Sequence, residues 1–320
     1  MNSKKFASII MSILLLSSVA YAFVNRQYLH DLYIVKRTNI EAEAQILQNQ
    51  LNLTSKGNFL YEASIPEVQE SNEFNKSCND VKTEHSIVLG CYTKQRVYVF
   101  NVSDTRLDGI QQVTAAHELL HAVYERMTLS ERKQIDKELV SLADTIQDER
   151  FQSTLAQYRQ TEPDQISNEL HSIIGTEISE ITPKLEEHYA KYFNNRRLIV
   201  GFANQYEKVF TDIEAQIQEH DKNLSEIKVE IDALDKSITS QQSQIKSEAA
   251  RLDLLRANDK IEEYNLGVGP FNELVRSYNA NIESQRSKVA QYNEIVKERN
   301  SLATTQSDLT KQLDSNYQTL

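Results

Sequence analysis

The chain has 320 residues, enough for two ordinary domains. Its net charge of -11 and pI near 5.2 exclude the basic surface that nucleic-acid phosphates require, so no nucleic-acid partner is expected. Apolar residues make up 40%, slightly below the usual globular share, so part of the chain is expected to lack a thick core.

Lys4 and Lys5 precede an apolar run from Phe6 to Val24. Nineteen residues, broken only by serines and a tyrosine, are just long enough to span a bilayer as a helix. Ala20-Tyr21-Ala22 also fits the small-x-small rule for signal cleavage. Residues 1–24 therefore predict a single-pass anchor with the bulk of the chain extracytoplasmic, or a secreted protein after cleavage. Residues 25–56, with Leu29, Leu32, Ile40, Leu47 and Leu51 at helical spacing, read as a juxtamembrane helix. Thr54 to Asn79 carries Gly57 and Pro66 among polar residues and reads as loop. Cys78 and Cys91, the two cysteines of the chain, fit a local disulfide or two buried thiols equally well.

Ser86–Tyr92 and Arg96–Val102 are rich in β-branched and aromatic residues, and Thr93-Lys94-Gln95 between them suits a hairpin loop. Asp108 with Gln111 predicts a capping box and a helix from near Gly109. Val113, Ala116, Leu120, Val123 or Tyr124, and Met127 would form its buried stripe. Thr128 and Glu131 predict a second capping box, opening a helix to about Ile146. Pro163 suits the first turn of a helix ending near Ile174, and Thr182-Pro183 the start of another.

The first of these helices carries His117-Glu118-Leu119-Leu120-His121. At 3.6 residues per turn both imidazoles leave one face, one turn apart. Each can give a nitrogen to a tetrahedral zinc. Glu118 is rotated away from the metal itself and suits a general base toward a water held there.

Strands followed by a His-Glu-x-x-His helix resemble the zincin metallopeptidases. Members with glutamate as third zinc ligand, the gluzincins, carry it on a later helix, in the thermolysin type within Asn-Glu-x-x-Ser-Asp. Asn168-Glu169-Leu170-His171-Ser172-Ile173 is similar, with Ile173 in place of the aspartate that supports a zinc histidine. The resemblance implies one zinc per chain on His117, His121 and Glu169, with Glu118 catalytic. His171 and Glu177 are the rival third ligands. Tyr189, Tyr192 and His188 are candidates for oxyanion stabilisation, against ordinary packing.

From Tyr206 to Ile245 apolar residues recur in steps of four and three, a heptad seam that Gly267-Val268-Gly269-Pro270 interrupts. A second seam runs from Phe271 to Val296 through Val289. An antiparallel helical hairpin with its tip near Gly267 follows. Asn272, Asn279, Asn293 and Asn300 share one side of the second arm, for register, solvent or a partner.

The expected fold is therefore α+β. A zincin-like domain with a small antiparallel sheet (57–200) would precede a long coiled-coil hairpin (201–320). The expected function is a membrane-anchored zinc endopeptidase acting on a peptide or protein, its arm binding a partner or a second copy. The competing class is a structural coiled-coil protein with a degenerate, metal-free domain.

Overall fold

The computed structural model describes residues 3–79, 87–161 and 163–316, with backbone alone for 3–10. It divides into two units, Met1–Val209 with Leu309–Leu320, and Phe210–Asp308.

The first unit opens with α1 (Ser3–Val24), α2 (Arg26–Arg37), α3 (Ala42–Gln50) and α4 (Ser55–Ala63). Strand β1 (Glu67–Gln69) and α5 (Ser71–Ser77) follow, then β2 (Gly90–Thr93) and β3 (Arg96–Phe100). The helices α6 (Ile110–Arg126), α7 (Leu129–Ala143), α8 (Glu149–Thr161), α9 (Ile166–Thr176) and α10 (Pro183–Tyr189) complete it. Helix α11 (Arg196–Ala257) contributes its residues up to Val209.

The sheet is mixed, in the order β1-β3-β2, not the small antiparallel sheet expected. β1 pairs parallel to β3 and β2 antiparallel to it. The hairpin itself stands: Lys94 and Gln95 turn it with φ of 52° and 61°, the two left-handed residues a tight two-residue turn needs. Ser86, the expected start of the first strand, lies outside the described residues.

The stretch 54–79 is not a loop but α4, β1 and α5. Thr54 caps α4 by accepting from the Gly57 N–H, and its own hydroxyl donates to the Lys191 carbonyl. Gly57 is a point of close approach: a Cβ there would sit 2.2 Å from the Tyr192 carbonyl oxygen. Cys78, at the end of α5, is disulfide-bonded to Cys91 of β2.

Residues 25–56 form separate helices within the unit and not one juxtamembrane helix. Leu47, Leu51 and Leu53 belong to the same buried core as Val97, Val99, Leu119 and Leu120. α2 is fixed by Asp31, almost wholly buried, which accepts two hydrogen bonds of 2.9 Å from Arg126 at the end of α6.

Among the described residues no helix is long and apolar enough to cross a membrane. This overturns the single-pass anchor, and with it the membrane localisation read from residues 1–24.

Helix α6 starts differently from expectation. Gly109, at φ 103°, takes the cap position, and no side chain caps it. Gln111 donates instead to Asn101 and to the Val102 carbonyl. The stripe Val113, Ala116, Leu120, Val123 and Met127 is buried as its spacing requires. The Thr128–Glu131 capping box is formed, and Thr182 caps α10 with Pro183 in its first turn. Pro163 opens a 3₁₀ turn, after which α9 runs through Gly175 to Thr176.

In the second unit, the rest of α11 and α12 (Ile261–Leu313) up to Asp308 pair antiparallel. The cross-arm contacts Gln241–Ser277, Asn281–Ser237, Gln285–Asp235, Lys288–Glu230 and Arg299–Asp221 are all nearly symmetric about residue 260. The tip is accordingly Asn258–Lys260, with Asp259 at φ 55°, and not Gly267. Gly267 lies inside α12, where a Cβ would meet Leu252 of the other arm at 2.6 Å. Val289 is exposed, and Lys288 reaches across the arms in its place. The four-asparagine row faces solvent, while Asn281 occupies the seam.

Candidate metal centre

The packing of α6 on α9 builds the site. His117 and His121 leave the same face of α6, their ring centroids 4.8 Å apart. Glu169 comes from the first turn of α9. Its carboxylate oxygens stand 3.8 Å from His117 Nε2 and 3.6 Å from His121 Nε2. One ligand atom from each of the three residues lies within 4.8 Å of the others, so this group could hold a metal ion. Donors about 2.1 Å from a common tetrahedral centre are about 3.4 Å apart, close to the two histidine–Glu169 spacings.

His121 is oriented from behind. Its Nδ1 is 3.0 Å from Asn168 Oδ1 and 3.3 Å from Ser172 Oγ, which leaves Nε2 turned toward Glu169. Such outer hydrogen bonds fix the tautomer and ring plane of a metal-binding histidine. Asn168 and Ser172 thus hold the His121 ring from the side away from Glu169. Burial works to raise the Glu169 pKa, but His121, His117 and the Tyr158 hydroxyl outweigh it and hold the carboxyl below its usual range.

Glu118 is buried and stands apart from the three donors. Burial is the main force raising its pKa to about 7, opposed by His121, reinforced by Glu169 and opposed again by a hydrogen bond from the Tyr92 backbone N–H. A carboxyl poised there can both accept and return a proton near neutral pH. Space around it is reserved by Gly90, where a Cβ would lie 2.7 Å from Glu118 Oε1 and 2.5 Å from Thr114 Cγ2.

The three donors and Glu118 line a cleft of about 930 Å³. Its walls are residues 87–92, α6, α8 through Thr154, Gln157 and Tyr158, and the ends of α9. β2 is the edge strand, and its outer side pairs with no strand among the described residues.

The rival ligands are elsewhere. His171 is a buried residue of α9, its Nε2 2.9 Å from His188 Nε2. Glu177 lines the cleft but is not in the donor group. Tyr189, Tyr192 and His188 do not line the cleft, and the packing reading holds for them. The Tyr189 hydroxyl donates to the His171 carbonyl, 2.7 Å away, inside the core. Tyr158, Asn168 as a positioning group, and Tyr206 were not singled out from the sequence. Asn168 had a signal, its place beside Glu169, whereas nothing local marks the two tyrosines.

No protein-family model, curated protein or solved structure matches the chain.

Proposed function

We propose that the chain is a zinc-dependent endopeptidase. The observation that carries the reading is the convergence of two imidazoles and a carboxylate in one cleft with a fourth, separate, buried carboxyl, Glu118. Two histidines and a glutamate are a donor set used by catalytic zinc, with a position left open. Bound zinc supplies Lewis acidity, drawing the pKa of water toward neutrality and polarising a carbonyl.

The remaining roles belong to the chain itself. Asn168 and Ser172 keep His121 aimed. Glu118 takes the proton of the attacking water and returns it to the leaving amine. The free edge of β2 offers main-chain groups to an extended peptide, and antiparallel pairing is the more stable of the two alignments. Every described lining residue lies between Ile87 and Tyr206, so we assign the hairpin to binding a partner or a second copy.

Metal analysis after dialysis tests the reading, with about one zinc per chain expected. Glu118→Gln is expected to keep that zinc and lose about 10²- to 10⁴-fold of peptide cleavage. Zinc below about a tenth of an equivalent, or undiminished cleavage by Glu118→Gln, overturns it.

A further inference from the structure

The two ends of the cleft differ: Glu125 and Arg132 line one, and Glu177 without an arginine in the lining beside it the other. β2 runs alongside α6 in the same sense. Gly90 faces Thr114 and Glu118, the Tyr92 N–H holds Glu118, and the Tyr92 hydroxyl bonds Glu125. At the end near Tyr124 stands Arg132, its guanidinium over the Tyr124 ring at 5.0 Å and its Nε without a partner. At the other end stand Tyr206 and Glu177. Tyr206 lies one turn beyond Phe202, which packs against Gly109 where α6 begins.

Glu177 shares its nearest guanidinium with other groups. The groups that act on it are His117, Glu207, Arg150 and Asp148. Arg150, the one guanidinium among them, is engaged by Glu207 at 2.9 Å and by Tyr206. Burial holds its carboxyl above the ordinary range, with His117 and Arg150 opposing and Glu207 and Asp148 adding to it. A cation entering the cleft supplies a charge-assisted hydrogen bond.

We propose that Glu177 forms a subsite for a lysine or arginine side chain of the substrate, on the C-terminal side of the cleaved bond. The side follows from the strand direction. A peptide antiparallel to β2 begins opposite Tyr92 and ends opposite Ile87, so its C-terminal portion lies toward Glu177. The proposal rests on the peptidase reading and narrows its substrate class to cationic peptides. An acidic protein also attracts such peptides at long range.

The test uses the full chain and a peptide set that varies one position at a time among Lys, Arg, Gln and Glu. Mass spectrometry of the products is expected to place Lys or Arg within two residues C-terminal of the cut. Replacing that residue by Gln is expected to lower kcat/KM about 10-fold or more, the scale of one charge-assisted bond. Glu177→Gln should erase the preference and Glu177→Lys turn it toward Glu, both with zinc content and thermal unfolding unchanged. Equal cleavage of the Lys and Gln peptides by the unaltered chain overturns the proposal. So does a preference that survives in Glu177→Gln.

Binding is measured separately, by anisotropy of labelled Lys and Gln peptides on the Glu118→Gln chain. Tighter binding of the Lys peptide, lost on adding Glu177→Gln, supports the subsite even if nothing is cleaved. Equal binding of the two peptides overturns it. Absence of zinc or of cleavage, with Glu177-dependent binding intact, counts against the peptidase reading alone.

Discussion

The two units are held together by different means. In the first, contacts far apart in sequence close a layered core: β1 pairs with β3, α9 packs on α6, and Asp31 reaches Arg126. In the second, Phe210–Asp308, each turn repeats the one before, and most seam side chains stay half-exposed. A long-range core concentrates stability in a few buried residues, whereas a repeating seam spreads it thinly. Single substitutions should therefore cost far more in the first unit than in the second.

The largest effect should come from the boundary. Leu309 and Leu313 are buried, and Asn75 and Ser315 exchange two hydrogen bonds of 2.7 and 2.8 Å. Cutting the chain after Val209 loses all of this, with about 1.5–3 kcal/mol for each buried leucine. Replacing Phe210–Asp308 by a flexible Gly/Ser linker keeps it. Urea unfolding should show the linker version cooperative and the truncated one several kcal/mol weaker. Equal stability of the two would break the division drawn here.

Next comes Asp31→Ala. It strands Arg126 without its carboxylate, and removing one partner of a buried pair costs about 3–5 kcal/mol. A loss below about 1 kcal/mol in the same assay would make the pair dispensable.

A smaller effect depends on pH. Burial, with Lys191 and Lys56 adding to it and Glu131 opposing, lowers the His188 pKa to about 4. The unfolded chain takes up this proton near pH 6.5, so between about 6.5 and 4 it binds more protons than the folded chain. Stability should fall with acid in that window, by about 2 kcal/mol from pH 7 to pH 5 for this group. His188→Gln should flatten the slope, and an unchanged slope would assign the acid sensitivity elsewhere.

The smallest effect is expected in the hairpin. Asn281→Ala removes bonds to Ser237 and Gln241 and should cost about 1 kcal/mol. A cost above about 3 kcal/mol would show that the seam, too, concentrates its stability.

What was legible in the sequence was local. The Thr128–Glu131 box, the Thr182-Pro183 start and the one-turn spacing of His117 and His121 depend on neighbours within four residues. The Asn168-Glu169 pair was readable as a motif, but its partner His121 lies 47 residues away from Asn168, and only packing shows what Asn168 holds. β1 was hidden because three residues carry no periodicity and their partner strand is distant and parallel. Gly57 and Gly267 misled for one reason. Each sits inside a helix where another segment passes close, and sequence alone does not separate that use of glycine from a turn. The membrane reading weighed an apolar run by length, and no described helix is both long and apolar enough to cross a membrane.

The return of residues 309–316 to α5 also orders events in time. α5 is tied through Cys78 to Cys91, on the strand that walls the cleft. A ribosome that has finished Val209 must add about 100 residues before Leu309 emerges, about 5–20 s at ordinary elongation rates. Through that interval the nascent chain already carries His117, Glu118, His121 and Glu169, but not the clasp that seats α5. The hairpin thus separates in biosynthesis two parts of the first unit, the chain up to Val209 and the segment whose Ser315 pairs with Asn75.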